Sequence, residues 1–281
     1  MTAILQAYRQ AYAGLPRRVW LLAGVMLVSR CGTMFLPFLS IYLTTESGYT
    51  PTQAGGVLAV YGVGSVVGTY AGGWLSHRFG PVRVIVVSLL LGAPGFVAIP
   101  LCSSLTMLVA ALLYLSVVRE ASRPAINAAM SDFCPPEEHT RAFALNRLAL
   151  NLGMSVGSGV SGVLATVGYG VMFGFNALVA LLAAGLMLAA FGFAAARRGE
   201  QDAEATQAAA TPWADGVFLA FLALQMLAAL VFFQLIGALP MYWRSECGIQ
   251  EWGIGVLFAV NTLLIVLLEM VVADLLRGVP P

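Results

Sequence analysis

Apolar residues in this chain are not interleaved with polar ones at the spacing of a half-buried helix or strand. They run together in long stretches, at 19–43, 52–76, 82–100, 105–132, 141–167, 171–195, 215–242 and 252–276. Each stretch is long enough, at about 1.5 Å per residue, to cross a hydrocarbon core about 30 Å thick. The predicted architecture is therefore all-α, a multi-pass transmembrane helical bundle. Short polar or Gly/Pro-rich breaks separate the stretches: Glu46 to Pro51, Cys102-Ser103-Ser104, Phe133 to Thr140 with Pro135-Pro136, Gly168-Tyr169-Gly170, and Trp243 to Glu251. A longer Ala/Gln/Glu-rich segment at 197–212 reads as a linker. Pro94-Gly95 is expected to kink the third helix.

Composition agrees with the pattern. Of 281 residues, 60% are hydrophobic and 10% charged, with mean hydropathy +0.88. A soluble domain carries about 25% charged residues. The net charge of +1 gives no basis for nucleic-acid binding. All 14 basic residues are arginine, and their distribution orients the chain. Arg9, Arg17, Arg18, Arg78, Arg83, Arg141, Arg197, Arg198 and Arg277 fall on one side of the predicted spans, and Arg244 on the other. The excess marks the cytoplasmic side and places both termini there. Cys31, Cys102, Cys134 and Cys247 have no ligand spacing and read as apolar fillers. No metal-binding cluster, Gly-x-Ser-x-Gly or phosphate loop is present, so neither a cofactor nor enzyme chemistry is expected. No cleavable signal is evident.

The turn between the second and third stretches carries the most specific pattern, Gly72-Gly73-Trp74-Leu75-Ser76-His77-Arg78-Phe79-Gly80-Pro81-Val82-Arg83. Pro81 has no N–H and Gly80 tolerates positive φ, so the pair breaks the helix. Gly73, Leu75, Arg78, Gly80 and Arg83 resemble the loop between the second and third helices of major facilitator superfamily transporters, Gly-x-Leu-x-Asp-Arg-x-Gly followed by basic residues. His77 stands at the Asp position. Arg123-Pro124-Ala125 with Asp132 and Arg141 resembles the fourth helix and following loop of bacterial drug-efflux-like members. Asn151-Leu152-Gly153, Gly157 and Gly162 resemble the antiporter motif of the fifth helix, with Gly157-Ser158 where that motif has Gly-Pro. The arginine the family carries earlier in the fourth helix has no counterpart at Ala110, Ala111 or Leu112.

The resemblance implies two six-helix halves: a complete first half at 1–196, the cytoplasmic linker at 197–212, and part of a second half at 213–281, about two helices. It further implies a secondary active transporter of small organic molecules in the cytoplasmic (inner) membrane, working by alternating access as a proton-coupled efflux antiporter. Its partners would be a small-molecule substrate, protons and lipid; oligomeric state is open. The alternative is a non-transporting fragment or an assembly partner of a full transporter. Gly73, Leu75, His77, Arg78, Gly80, Arg83 and Asp132 would form the gating loop. In the family the fifth helix faces the eighth and the second faces the eleventh. The stripe of Gly153, Gly157 and Ser161 would then have its partner here. The stripe of Gly64, Gly68 and Gly72, with small residues one turn apart for close helix approach, would face lipid or another subunit.

Ionisable groups inside the spans are the candidate chemistry, since each costs at least about 2.5 kcal/mol there. Arg30 falls roughly 17 Å into the first helix, and Glu120 about 18 Å from the inner end of the fourth. Arg123 follows Glu120 by three positions and shares its face, with Arg119 four before Arg123. Glu120 and Arg123 are either a proton-switched pair at a moving seam between the halves or a permanent salt bridge. Glu269 falls roughly 12 Å from the inner end of the eighth helix, and Asn261 shares its face; they line the cavity or fill a helix contact. Asp274 with Arg277 reads as a solvated pair. Arg147 either snorkels to the surface or pairs with Asp132.

Overall fold

A computed structural model describes residues 14–193 and 215–276, the side chains of 269–276 excepted. The predicted linker, the arginines Arg9, Arg197, Arg198 and Arg277, and the side chains of Glu269 and Asp274 lie outside the described residues.

Among the described residues, eight helical segments are long and apolar enough to cross a membrane. They comprise α1 (Arg17–Cys31) and α2 (Leu36–Thr45) in the first span, α3 (Pro51–Phe79) in the second and α4 (Pro81–Ala98) in the third. The fourth span is α5 (Leu105–Glu120) with α6 (Ser122–Asp132), the fifth α7 (His139–Val167) and the sixth α8 (Tyr169–Phe191). The seventh is α9 (Gly216–Gln234) with α10 (Ala238–Ser245), and the eighth belongs to α11 (Glu251–Leu276).

Three spans expected as continuous helices are interrupted, for one physical reason. A helical proline cannot donate to the carbonyl four residues back, and its ring crowds that carbonyl. Pro37 stands just after the gap between α1 and α2, Pro124 just after the gap between α5 and α6, and Pro240 just after that between α9 and α10. Hydroxyls near the first two breaks bond carbonyls of the preceding helical turn, although not the ones four residues before the prolines. Thr33 Oγ1 donates to Arg30 O at 3.0 Å, and Ser122 Oγ to Arg119 O at 2.7 Å. Pro94 behaves differently: α4 continues through it to Ala98. Tyr114 in α5 donates its hydroxyl to Leu91 O at 2.8 Å, one residue from the carbonyl that Pro94 leaves without a donor.

The start of α3 is fixed by a reciprocal cap. Thr50 N donates to Gln53 Oε1 at 2.9 Å and Gln53 N to Thr50 Oγ1 at 3.3 Å, with Pro51 in the first turn. Its end is fixed by Gly80, at φ 87°. Buried apolar side chains form two clusters. One, around Val19, Met26, Ile85, Met130 and Met187, lies toward the Gly80 turn. The other, around Phe35, Phe38, Phe96, Leu112 and Phe173, lies toward the opposite end. Phe35 meets Phe96 edge-on at 5.0 Å. None of the residues of α9 is buried.

The glycine stripes seat backbone against backbone. A Cβ on Gly64, Gly68 or Gly72 would overlap Ser116, Val117 or Ala121 of the fourth span. The stripe of α3 is therefore covered inside the bundle rather than facing lipid or another subunit, because α5 runs along it. Gly153 and Gly157 are also placed differently from expectation. They seat α1, and a Cβ on Gly157 would lie 2.6 Å from Cys31 O. The α7–α11 crossing uses Gly162 and Gly255 instead: a Cβ on Gly255 would lie 2.6 Å from Ser158 O. Gly68→Ala should lower unfolding free energy in a detergent-denaturation titration by about 1–3 kcal/mol. Gly62→Ala, where a Cβ meets nothing within 4 Å, should change it by no more than about 0.5 kcal/mol.

Candidate functional site

The two proline interruptions in the first and fourth spans lie at one level, between the two apolar clusters. Arg30 is the last residue but one of α1, and Glu120 is the last of α5. Arg123 sits in the first turn of α6. Together with Ser29, Arg119 and Ser122 they line a small polar cavity of about 20 Å³, room for about one water. Glu120 Oε2 and Arg123 Nε are 2.5 Å apart, the side chains being 12% and 58% exposed respectively. Arg119 lays its guanidinium over the Phe96 ring at 5.1 Å from the centroid. Its stem passes Gly92, where a Cβ would be 3.6 Å away.

Sequence spacing anticipates the contact of Glu120 with Arg123. It treats Arg119 only as a neighbour four positions from Arg123, whereas the structure makes Arg119 a wall of the cavity. The cavity joins two spans that are far apart in the chain. Among the described residues every lining group belongs to the first and fourth spans. Both spans are interrupted at this level, and of the charged groups that line the cavity Arg123 is the exposed one. Asn261 is not brought to this cavity and stands exposed on α11, beside the buried Thr262. Glu269 lies in α11 by its backbone.

The turn around Gly80 is tied within the bundle. Arg83 donates from Nε to Phe193 O at 2.9 Å, just past the end of α8, and lies over the Phe193 ring. Arg78 lies over Trp74 and Phe79. His77 is exposed, Gly73 and Leu75 are half-buried, and Asp132 is exposed at the end of α6. Leu75 packs on the cluster beside the turn.

A second polar cluster lies at the opposite end and has no sequence forewarning, because its members are far apart in the chain. Glu251 opens α11 and is buried. Its Oε1 accepts from Tyr169 at 3.3 Å and pairs with Arg244 Nε at 3.1 Å. The cluster ties α8 to α10 and α11, one to two turns from the crossing of Gly162 and Gly255. Asn176 on α8 is also buried, with neither amide atom hydrogen-bonded among the described residues.

Eight segments long and apolar enough to cross a membrane among the described residues, with charged groups between apolar clusters, mark an integral membrane protein. The chain belongs to the major facilitator superfamily, whose sequence profile matches residues 21–280. It is 29% identical over 279 residues to an uncharacterized MFS-type transporter, YttB of Bacillus subtilis (strain 168), covering 94% of this chain and 66% of that protein. A Na(+), Li(+), K(+)/H(+) antiporter of Planococcus maritimus is 24% identical over 294 residues, covering 92% of this chain and 68% of the relative. The fold resembles a crystal structure of the peptide transporter POT in complex with sulfate, with TM-score 0.70 and 17% identity over 96% of this chain and 71% of that one. The chain thus spans about two-thirds of the length of YttB.

The clasp at Glu251 yields a measurable coupling. Tyr169→Phe should cost about 1.5–3 kcal/mol in detergent unfolding, since its bond is to a charged group. In a double-mutant cycle, Tyr169→Phe with Glu251→Gln should be non-additive by at least about 0.5 kcal/mol. Additive losses would mean that the two side chains do not act on each other.

Proposed function

We propose that this protein is a proton-coupled secondary transporter that exports a small organic molecule across the cytoplasmic membrane by alternating access. The observation that carries the reading is the ion pair of Glu120 with Arg123, placed mid-span between apolar clusters. A carboxylate there, facing Arg30, Arg119, Arg123 and the Tyr61 hydroxyl, is suited to exchange a proton for a change of salt-bridge partner. In this cycle protonated Glu120 releases Arg123, and the ion pair reforms when the proton leaves to the other side. The resemblance of the antiporter of Planococcus maritimus supports proton exchange. The arginine asymmetry supports cytoplasmic termini and a cytoplasmic Gly80 turn. We assign residues 1–196 to a first six-helix half, 197–212 to a linker and 213–281 to part of a second half. The gating role belongs to Gly73, Leu75, His77, Arg78, Gly80, Arg83 and Asp132. Asn261 and Glu269 are the candidates on α11 for lining the path from the second half.

A second reading is a non-transporting assembly partner of a full transporter, and the unburied α9 supports it. Reading the gene beyond the codon for Pro281 separates the two: four further spanning segments in frame favour the transporter, and a stop codon the partner.

In proteoliposomes carrying the full-length protein, an imposed pH gradient should drive accumulation of members of a labelled panel of aromatic acids and amines. Glu120→Gln should remove the pH dependence and reduce accumulation to near that of protein-free vesicles. Unchanged transport and unchanged pH dependence in this variant would remove Glu120 as the coupling carboxylate.

A further inference from the structure

The geometry points to the cavity between α1, α5 and α6 as an anion subsite, taking the carboxylate or phosphate head of a small organic anion on Arg30 and Arg119. Its charges do not balance. Three guanidinium groups and one carboxylate line it. The carboxylate is committed to Arg123. Arg30 makes neither an ion pair nor a side-chain hydrogen bond among the described residues. Arg119 has the Phe96 ring and no carboxylate within ion-pair distance.

Among the described residues Arg30 and Arg119 have as their one nearby carboxylate Glu120, already paired with Arg123, which is costly at mid-span in the ligand-free protein, and each presents a planar fork of N–H donors that matches a carboxylate or phosphate. Ser29 adds a hydroxyl with no hydrogen-bond partner among the described residues. A cation would meet like charge on three sides, and a neutral ligand would leave the excess charge in place. The enclosed space of about 20 Å³ is too small for such a head, so binding requires the exposed side chain of Arg123 to swing aside. The inference rests on the transport reading for its biological use. Its test is binding alone, so anion binding without transport and transport without anion binding are separate results.

The full chain in detergent is titrated with benzoate, phenyl phosphate, neutral benzamide and the cation tetraphenylphosphonium, with thermal melting as the readout. Benzoate or phenyl phosphate should raise the midpoint saturably, benzamide and tetraphenylphosphonium should not, and whichever anion responds more strongly identifies the preferred head. Arg30→Gln and Arg119→Gln should each weaken the anion effect by about tenfold or more, Arg119→Lys by less, and Arg18→Gln, on the exposed face of α1, not at all. Ligand-free Arg30→Gln should melt no lower than the parent, because the charge it removes has no ion-pair partner among the described residues. Equal responses to benzoate and benzamide, a stronger response to tetraphenylphosphonium, no response to either anion, or an anion effect that survives both glutamine variants would each overturn the assignment.

Discussion

No water reaches the middle of a bilayer to satisfy a broken helix, and the structure turns on how this chain meets that constraint. Every carbonyl that a proline leaves without a donor must be served from within the protein. Beside the cavity, hydroxyls at the two breaks add bonds to carbonyls in the last turn of the preceding helix, Thr33 to Arg30 O and Ser122 to Arg119 O. The breaks also place Arg30, Arg119, Glu120 and Arg123 at the ends of helical segments. The polar cavity thus sits where Pro37 and Pro124 interrupt their spans, between two apolar clusters.

Close approach of helices is the second support. Gly64, Gly68 and Gly72 bring α3 onto the fourth span, Gly153 and Gly157 bring α7 onto α1, and Gly162 with Gly255 bring α7 onto α11. Apolar side chains gain nothing by leaving lipid for one another, so van der Waals contact between small residues holds the bundle. One helix, α7, thus serves two partners from different positions along its length, α1 by Gly153 and Gly157 and α11 by Gly162. The Tyr169–Glu251–Arg244 cluster adds a directional bond near the second of these contacts. The first six spans and the last one therefore meet through a tight glycine crossing and a polar clasp.

The number of spans, their all-α character, the turn at Gly80 and the pairing of Glu120 with Arg123 were legible from the chain, because each is local. A span needs only an apolar run of sufficient length, a turn only glycine and proline in succession, and an i,i+3 pair only helical periodicity. Arg119 shows why the site was legible only in part. Its spacing from Arg123 is visible, but nothing in the chain says that Gly92 and Phe96 of another helix make room for its stem and ring contact. The clasp was invisible for the same reason, with Tyr169 and Glu251 far apart in sequence.

By itself the sequence determined what the membrane demands of it: how many times it crosses, where it turns and which residues carry charge into the apolar interior. The tertiary structure alone decided which helix fills each glycine notch and which charges meet in one cavity. It also decided that three guanidinium groups share a single carboxylate there. The difference is physical. Partition into lipid depends on each segment's own composition, whereas charge balance and close packing depend on what a neighbouring helix brings to within a few ångströms.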